Sequence, residues 1–164
     1  MRVLSIDPGY GRTGIAVLEK KPGKAEVLLY SGCFETSSDE PFSVRLVSLG
    51  HEIERIIHEH RPGTLAIEEL FFNSNQKTAF RVSEARGVVL YVAASSGLVV
   101  YEYTPLQVKI AITGYGRGTK QQVIAMTKRL VPIGKPIKYD DEYDAIAVGL
   151  TCLASIHRKE SVSE

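Results

Sequence analysis

Val3-Leu4-Ser5-Ile6-Asp7-Pro8-Gly9-Tyr10-Gly11-Arg12-Thr13-Gly14 reads as a strand that ends in an acid and turns at once. Val3 to Ile6 is a short apolar run with β-branched residues at both ends. Pro8 fixes φ and Gly9 is expected to supply a positive φ, so the chain reverses and Thr13 to Leu18 becomes the partner strand of a hairpin. Asp7 then stands on a rigid element at the open end of a sheet. By itself Asp-Pro-Gly is a common turn tripeptide, and turn formation alone explains it. A chemical role requires more acids at the same end.

Working outward, Pro22-Gly23 marks a charged turn and Ala25 to Phe34 a third strand, so three antiparallel strands open the fold. Ser37-Ser38-Asp39-Glu40-Pro41 carries cap residues and a proline, a helix-start signal, and Leu46, Leu49, Ile53, Ile56 and Ile57 follow at helical spacing. Arg61-Pro62-Gly63 ends that helix. His51, His58 and His60 do not form a metal set, because residues two apart on a helix point away from each other, and they read as surface histidines. Thr64 to Leu70 is a short strand entered by a crossover, with the acids Glu68-Glu69 at its polar end. Strand alternation sends these two glutamates to opposite faces, so one of them can share a site with Asp7.

Phe71-Phe72-Asn73-Ser74-Asn75 reads as a loop with two aromatics and helix-capping residues. A long helix from Gln76 to Ser95 follows, basic at first and apolar on nearly every side from Gly87 to Ala94. Such a helix is expected to be buried, against the sheet or against a two-fold partner. Leu98 to Tyr103 is the fifth strand, and Thr104-Pro105 caps a short helix to Ile112. Gly114 to Lys120 is basic and glycine-rich but lacks the Walker spacing, which leaves a mobile arm carrying Arg117 and Lys120 or a plain helix connection. Another helix runs from Lys120 to Val131, and the last opens at Tyr139-Asp140-Asp141-Glu142-Tyr143-Asp144.

The 164 residues fit one domain, residues 1–158, with a polar tail at 159–164. Neither a secretory leader nor an apolar run long enough to span a membrane is legible, which places the expected location in the cytoplasm. Cys33 and Cys152 read as small packed hydrophobes rather than a disulfide or a metal pair. The net charge of +1 conceals an uneven distribution. Between Leu70 and Tyr139 ten basic residues stand against Glu84 and Glu102, a local +8, while the remainder carries −7. That asymmetry suits a basic face for nucleic acid beside an acidic cluster, although a solvated basic face without a partner has the same composition.

Asp141 and Asp144 lie three apart and share one face of a helix at its first turn. Acids there also simply meet the helix dipole. Together with Asp7 and Glu68, however, they give acids at the ends of strands one and four and at the start of the final helix. Carboxylates about 4 Å apart repel by roughly 4 kcal/mol per pair at an effective dielectric of 20, so a cluster of this kind requires cations. All-oxygen ligands favour hard ions, Mg²⁺ or Mn²⁺, in the arrangement that splits a phosphodiester between two metals.

Asp7 in Ile-Asp-Pro-Gly, Glu68 in Leu-Ala-Ile-Glu, Phe71, Ser83-Glu84-Ala85-Arg86-Gly87, Gln107-Val108-Lys109, Lys120 and Asp141-x-x-Asp144-Ala145-Ile146-Ala147 together resemble a RuvC-type Holliday junction resolvase of the ribonuclease H-like superfamily. The resemblance spans about residues 2 to 156. It implies an α/β, ribonuclease H-like fold with a five-stranded mixed sheet flanked by helices. It also implies a homodimeric endonuclease using two Mg²⁺ per active site, replaceable by Mn²⁺, that nicks opposed strands of a four-way DNA junction and works with RuvA and RuvB. By position, Asp7, Glu68, Asp141 and Asp144 would be the catalytic metal ligands. Phe71, Lys109 and Lys120 would meet DNA, and Lys77, Arg81 and Arg117 join them through the basic stretch. Glu69 and Asp140 are the expected decoys. A sugar-kinase-like phosphotransferase also opens on an acid beside a glycine-rich hairpin, but it needs a second phosphate loop and a second domain. A catalytically silent junction-binding module would lack an acid, and all four are present.

Overall fold

The computed structural model describes residues 1–70 and 76–160. Strands β1 (Arg2–Asp7), β2 (Arg12–Glu19) and β3 (Val27–Glu35) are followed by helix α1 (Phe42–His60), β4 (Thr64–Glu68) and α2 (Gln76–Ser95). Then come β5 (Val99–Tyr103), α3 (Pro105–Thr113), α4 (Lys120–Leu130) and α5 (Asp140–Glu160). The five strands form one mixed sheet, as expected, and their order is β3-β2-β1-β4-β5. β1 pairs antiparallel with β2 and parallel with β4, and β4 pairs parallel with β5.

Alternation along the strands builds two cores. Val3, Ala16, Leu18 and Ala66 face α3, α4 and α5, whereas Leu4, Ile6, Val17, Leu65 and Ile67 face α1 and α2. Each large side chain buried in this way stabilises the fold by about 1.5–3 kcal/mol. The parity sends Asp7 and Glu68 to the α5 side of the sheet, with Val3 and Ala66, each as the last residue of its strand.

Several local expectations are corrected. Gly9 is not among the positive-φ glycines, which are Gly23, Gly97 and Gly114 among the described residues. It is required for space, because a Cβ there would lie 2.0 Å from the Arg12 carbonyl oxygen. Thr13 Oγ1 closes the same turn by donating to the Gly9 carbonyl at 2.7 Å. The serines before α1 do not cap it. Pro41 is the N-cap, without a side-chain hydrogen bond, and Ser37 instead accepts from the Asp39 N–H. His51 and His58 are exposed, but His60 is only 15% exposed and packs its ring 5.4 Å from that of Tyr30. The last turn of α1 brings it back over β3, which the helical spacing alone does not reveal.

Helix α2 is not buried all round. Ala85, Val89, Val92 and Ala93 enter the core, while Tyr91 is 73% exposed and Gly87 and Ala94 share its uncovered side. The reason is that α1 and the sheet offer surface to one side of α2 only. Gly114 to Lys120 is a defined connection: Gly114 ends α3 in the left-handed conformation, and Thr119 and Gln122 form a capping box that opens α4. Thr104 and Gln107 form the same device at α3. Both cysteines are free; Cys152 is buried and Cys33 half-buried, and burial pushes each thiol up to about 11. No helix among the described residues is long and apolar enough to cross a membrane.

Candidate active site

Parallel pairing of β1 with β4 sets Ile6 beside Ile67, so the next residues, Asp7 and Glu68, end their strands side by side. Helix α5 comes down on the same end of the sheet. A Cβ on Gly14 would stand 1.9 Å from the Asp141 carbonyl oxygen, and one on Gly149 would stand 2.6 Å from Ser5 Oγ. Two glycines, one in β2 and one in α5, therefore let helix and sheet backbones approach closely. Gly14 is also the direct cross-strand partner of Asp7. A glycine inside a strand is the sequence signal for such an approach, and Gly14 carries it.

The electrostatics record the convergence. Burial raises the Asp7 carboxyl well above the ordinary range, and Glu68, Asp144 and Asp141 push it further, with Lys120 opposing. Glu68 is raised to about 7, first by burial and then by Asp144, against Lys109 and Lys120. Asp144 is raised by burial and by its neighbours Asp140 and Asp141, although Lys120 pulls it down. Three acids that resist ionisation at one strand end form a site poised for added positive charge.

Lys120 and Arg12 pair directly with acids of this site. Lys120 Nζ lies 3.1 Å from Asp144 and 3.4 Å from Asp140. Burial would lower its own pKa, but these two carboxylates raise it overall. Arg12 Nε lies 3.3 Å from Asp141, and its guanidinium stacks 4.7 Å above the Tyr139 ring. Arg12 was not anticipated from the sequence, since nothing local ties the first residue of β2 to the first turn of α5.

Not every acid in that turn joins the cluster. Glu142 is 5% exposed and accepts from Ser31 Oγ at 2.6 Å, and its carboxylate lies 2.7 Å from Lys135 Nζ. It anchors α5 to β3. Asp140 is largely exposed at the rim of the site, where it pairs with Lys120 and raises Asp144. Glu69 lies beyond the end of β4, where its N–H donates to the Tyr103 carbonyl at 2.8 Å. Arg86 supports the same strand end from α2 by donating to the Glu68 carbonyl at 3.3 Å and pairing with Glu102.

Of the basic candidates, Lys109 and Lys120 lie near enough to act on Glu68. Arg117 is exposed on the α3–α4 connection. Arg81 lies on α2, 4.1 Å above the Phe42 ring, away from those lysines. Phe71 is outside the described residues, as is the side chain of Lys77.

Among the described residues, no three His, Cys, Asp or Glu side chains are already disposed to hold a metal ion. The donor chemistry nevertheless fits one. The converging groups are all carboxylates, raised by burial and mutual repulsion, and hard oxygen donors under that strain favour a hard divalent cation.

The family model described as "Crossover junction endodeoxyribonuclease RuvC" matches residues 3–152. A protein of that name from Desulfitobacterium hafniense is 46% identical over 157 residues, covering 96% of this chain and 94% of its own length. The solved structure of Thermus thermophilus RuvC superposes with a TM-score of 0.87 at 32% identity, covering 97% of each chain. The same protein solved in complex with a Holliday junction substrate gives 0.86 at 33%, covering 92% of each chain. On sequence and fold together, this chain belongs to the RuvC family of crossover junction endodeoxyribonucleases.

Proposed function

We propose that this protein resolves four-way DNA junctions by paired, symmetric nicks, through metal-assisted phosphodiester hydrolysis in recombination and repair. The observation that carries the proposal is the strand end that Asp7 and Glu68 share, where burial and then Glu68, Asp144 and Asp141 raise Asp7, and burial and then Asp144 raise Glu68. Asp7, Glu68, Asp141 and Asp144 would hold two Mg²⁺ ions, with Mn²⁺ as a substitute. When bound, such ions supply an activated water and stabilise the leaving oxygen of an in-line displacement. The four carboxylates orient the scissile phosphate over the open end of β1 and β4. Lys109 and Lys120 border that end and hold the DNA backbone, and Lys120 stays beside Asp144 to limit the charge of the site. Phe71, Lys77, Arg81 and Arg117 extend the DNA contact beyond the acids.

The working unit is one nuclease domain, residues 1–158, with a polar tail at 159–164. Two copies pair through the uncovered side of α2 around Gly87, Tyr91 and Ala94, because two opposed nicks require two sites and this apolar stripe is left without a partner. The protein acts in the cytoplasm with the branch-migration proteins RuvA and RuvB.

Incubation of a mobile four-way junction with protein and Mg²⁺ tests the reading. Paired nicks in the junction, sparing of linear duplex and loss of cutting on adding EDTA are expected. Equal cutting of linear duplex would overturn it.

A further inference from the structure

Tyr10 lies in the turn directly after Asp7 and is held from several sides. Arg45 Nη2 donates to its carbonyl at 2.8 Å, and Thr36 Oγ1 does so at 3.2 Å. The Arg45 guanidinium lies 5.4 Å from the Tyr10 ring and 5.8 Å from that of Phe42. Arg81 covers Phe42 at 4.1 Å, and the Tyr10 and Phe42 rings meet edge to face at 6.4 Å. Rings and guanidinium planes thus alternate across the β1–β2 turn and the first turns of α1 and α2. Tyr10 remains 37% exposed.

This cluster lines two open hollows that share Tyr10. One of about 820 Å³ lies between Tyr10, Phe80, Arg81 and Glu84. The other, of about 520 Å³, runs past Arg45, Thr36 and Arg12 to Asp141. Each has the size of a site for a nucleotide-sized ligand. The trough therefore leads to the acid cluster from the α1–α2 side, whereas Lys109 and Lys120 approach it from α3 and α4. Arg12, Arg45 and Arg81 stand in it against Glu35, Glu84 and Asp141; Arg12 pairs with Asp141 at 3.3 Å and Arg81 with Glu84 at 3.6 Å, while Arg45 bonds to Thr36 and the Tyr10 carbonyl.

We propose that this trough docks unpaired nucleotides of the strand entering the acid cluster, with a base stacked on Tyr10 and phosphates met by Arg45 and Arg81. The inference rests on the nuclease reading above. The chemistry selects single-stranded DNA because exposed ring faces are available only to bases that have left a duplex stack, and arginines beside them track the backbone. The bonds to the Tyr10 carbonyl fix the platform in advance, so little ordering is required on binding.

Short single-stranded DNA carrying 2-aminopurine, titrated with the protein in EDTA, reads stacking and affinity without cleavage. Wild type is expected to quench the fluorophore. Tyr10→Ala is expected to abolish the quenching and weaken binding by about tenfold, while Tyr10→Phe keeps both. Phe80→Ala, at a side chain 69% exposed and therefore harmless to folding, is expected to weaken binding several-fold. Unchanged quenching in Tyr10→Ala overturns the proposal, as does a Tyr10→Phe protein that loses as much as Tyr10→Ala. Should Tyr10→Ala fail to fold by circular dichroism, unchanged binding in Phe80→Ala overturns it instead. Wild-type junction cleavage with Mg²⁺, run in parallel, separates the two readings: a protein that quenches but never cuts sinks the nuclease reading and leaves the trough standing.

Discussion

The Asp141 carbonyl oxygen occupies the space that a Cβ on Gly14 would need, at 1.9 Å. Because Gly14 pairs with Asp7 across β1 and β2, one missing side chain sets the distance between two of the converging acids. Gly14→Ala is expected to push α5 off the sheet, lower stability by about 1–3 kcal/mol and reduce cleavage at least a hundredfold. Gly134→Ala, where no heavy atom lies within 4 Å, is the matched control and should behave as wild type. Thermal melts and junction-cleavage rates on both variants check the difference.

Asp7→Asn removes a buried charge that Glu68, Asp144 and Asp141 oppose. Without metal it should therefore melt higher than wild type, yet bind a four-way junction with similar affinity and cut it at least a thousandfold more slowly. A gel-shift and a cleavage assay on one preparation measure both. Retained cutting would remove Asp7 from the mechanism.

The raised pKa of Glu68 sets a sign for the pH dependence. Between the ordinary 4.5 and about 7 the folded protein holds a proton that the unfolded chain has lost. Stability contributed by that proton is present below pH 4.5 and disappears as pH rises through 7, and Asp7 and Asp144 act in the same direction. The melting temperature of metal-free protein should accordingly fall from pH 5 to pH 8. Glu68→Gln should flatten the profile, and Mg²⁺ should restore stability at pH 8. Differential scanning fluorimetry across that range checks each outcome.

Lys120 is half-exposed beside Asp144, so its ion pair adds little stability, of the order of 1 kcal/mol or less. Lys120→Met should leave the melting temperature nearly unchanged, weaken junction binding and lower the salt dependence of affinity by about one unit of slope. Fluorescence anisotropy at several salt concentrations measures that slope.

Tyr91 on the uncovered side of α2 is 73% exposed. Tyr91→Glu should leave folding intact and convert a dimer to a monomer in light scattering, with loss of paired nicking. A wild-type protein already monomeric at micromolar concentration would overturn dimerisation through this face.

What the sequence determined by itself is local. The hairpin after Asp7, the strand and helix order, and the Thr104 cap follow from short-range periodicity, turn chemistry and capping, each confined to a few residues. Strand alternation and the parallel crossover also suffice to bring Asp7 and Glu68 to one end of the sheet. Tertiary structure decided the rest. Glu142 sits between Asp141 and Asp144 in sequence, yet it is committed to Ser31, 111 residues away, which no helical pattern discloses. Gly9 avoids a steric clash with a carbonyl rather than adopting a positive φ, and α2 presents an apolar side to solvent because nothing among the described residues covers it. Arg12 meets Asp141 only because two glycines let α5 settle onto the sheet. Local patterns set which elements form. Close packing between residues distant in the chain sets which side chains share a site.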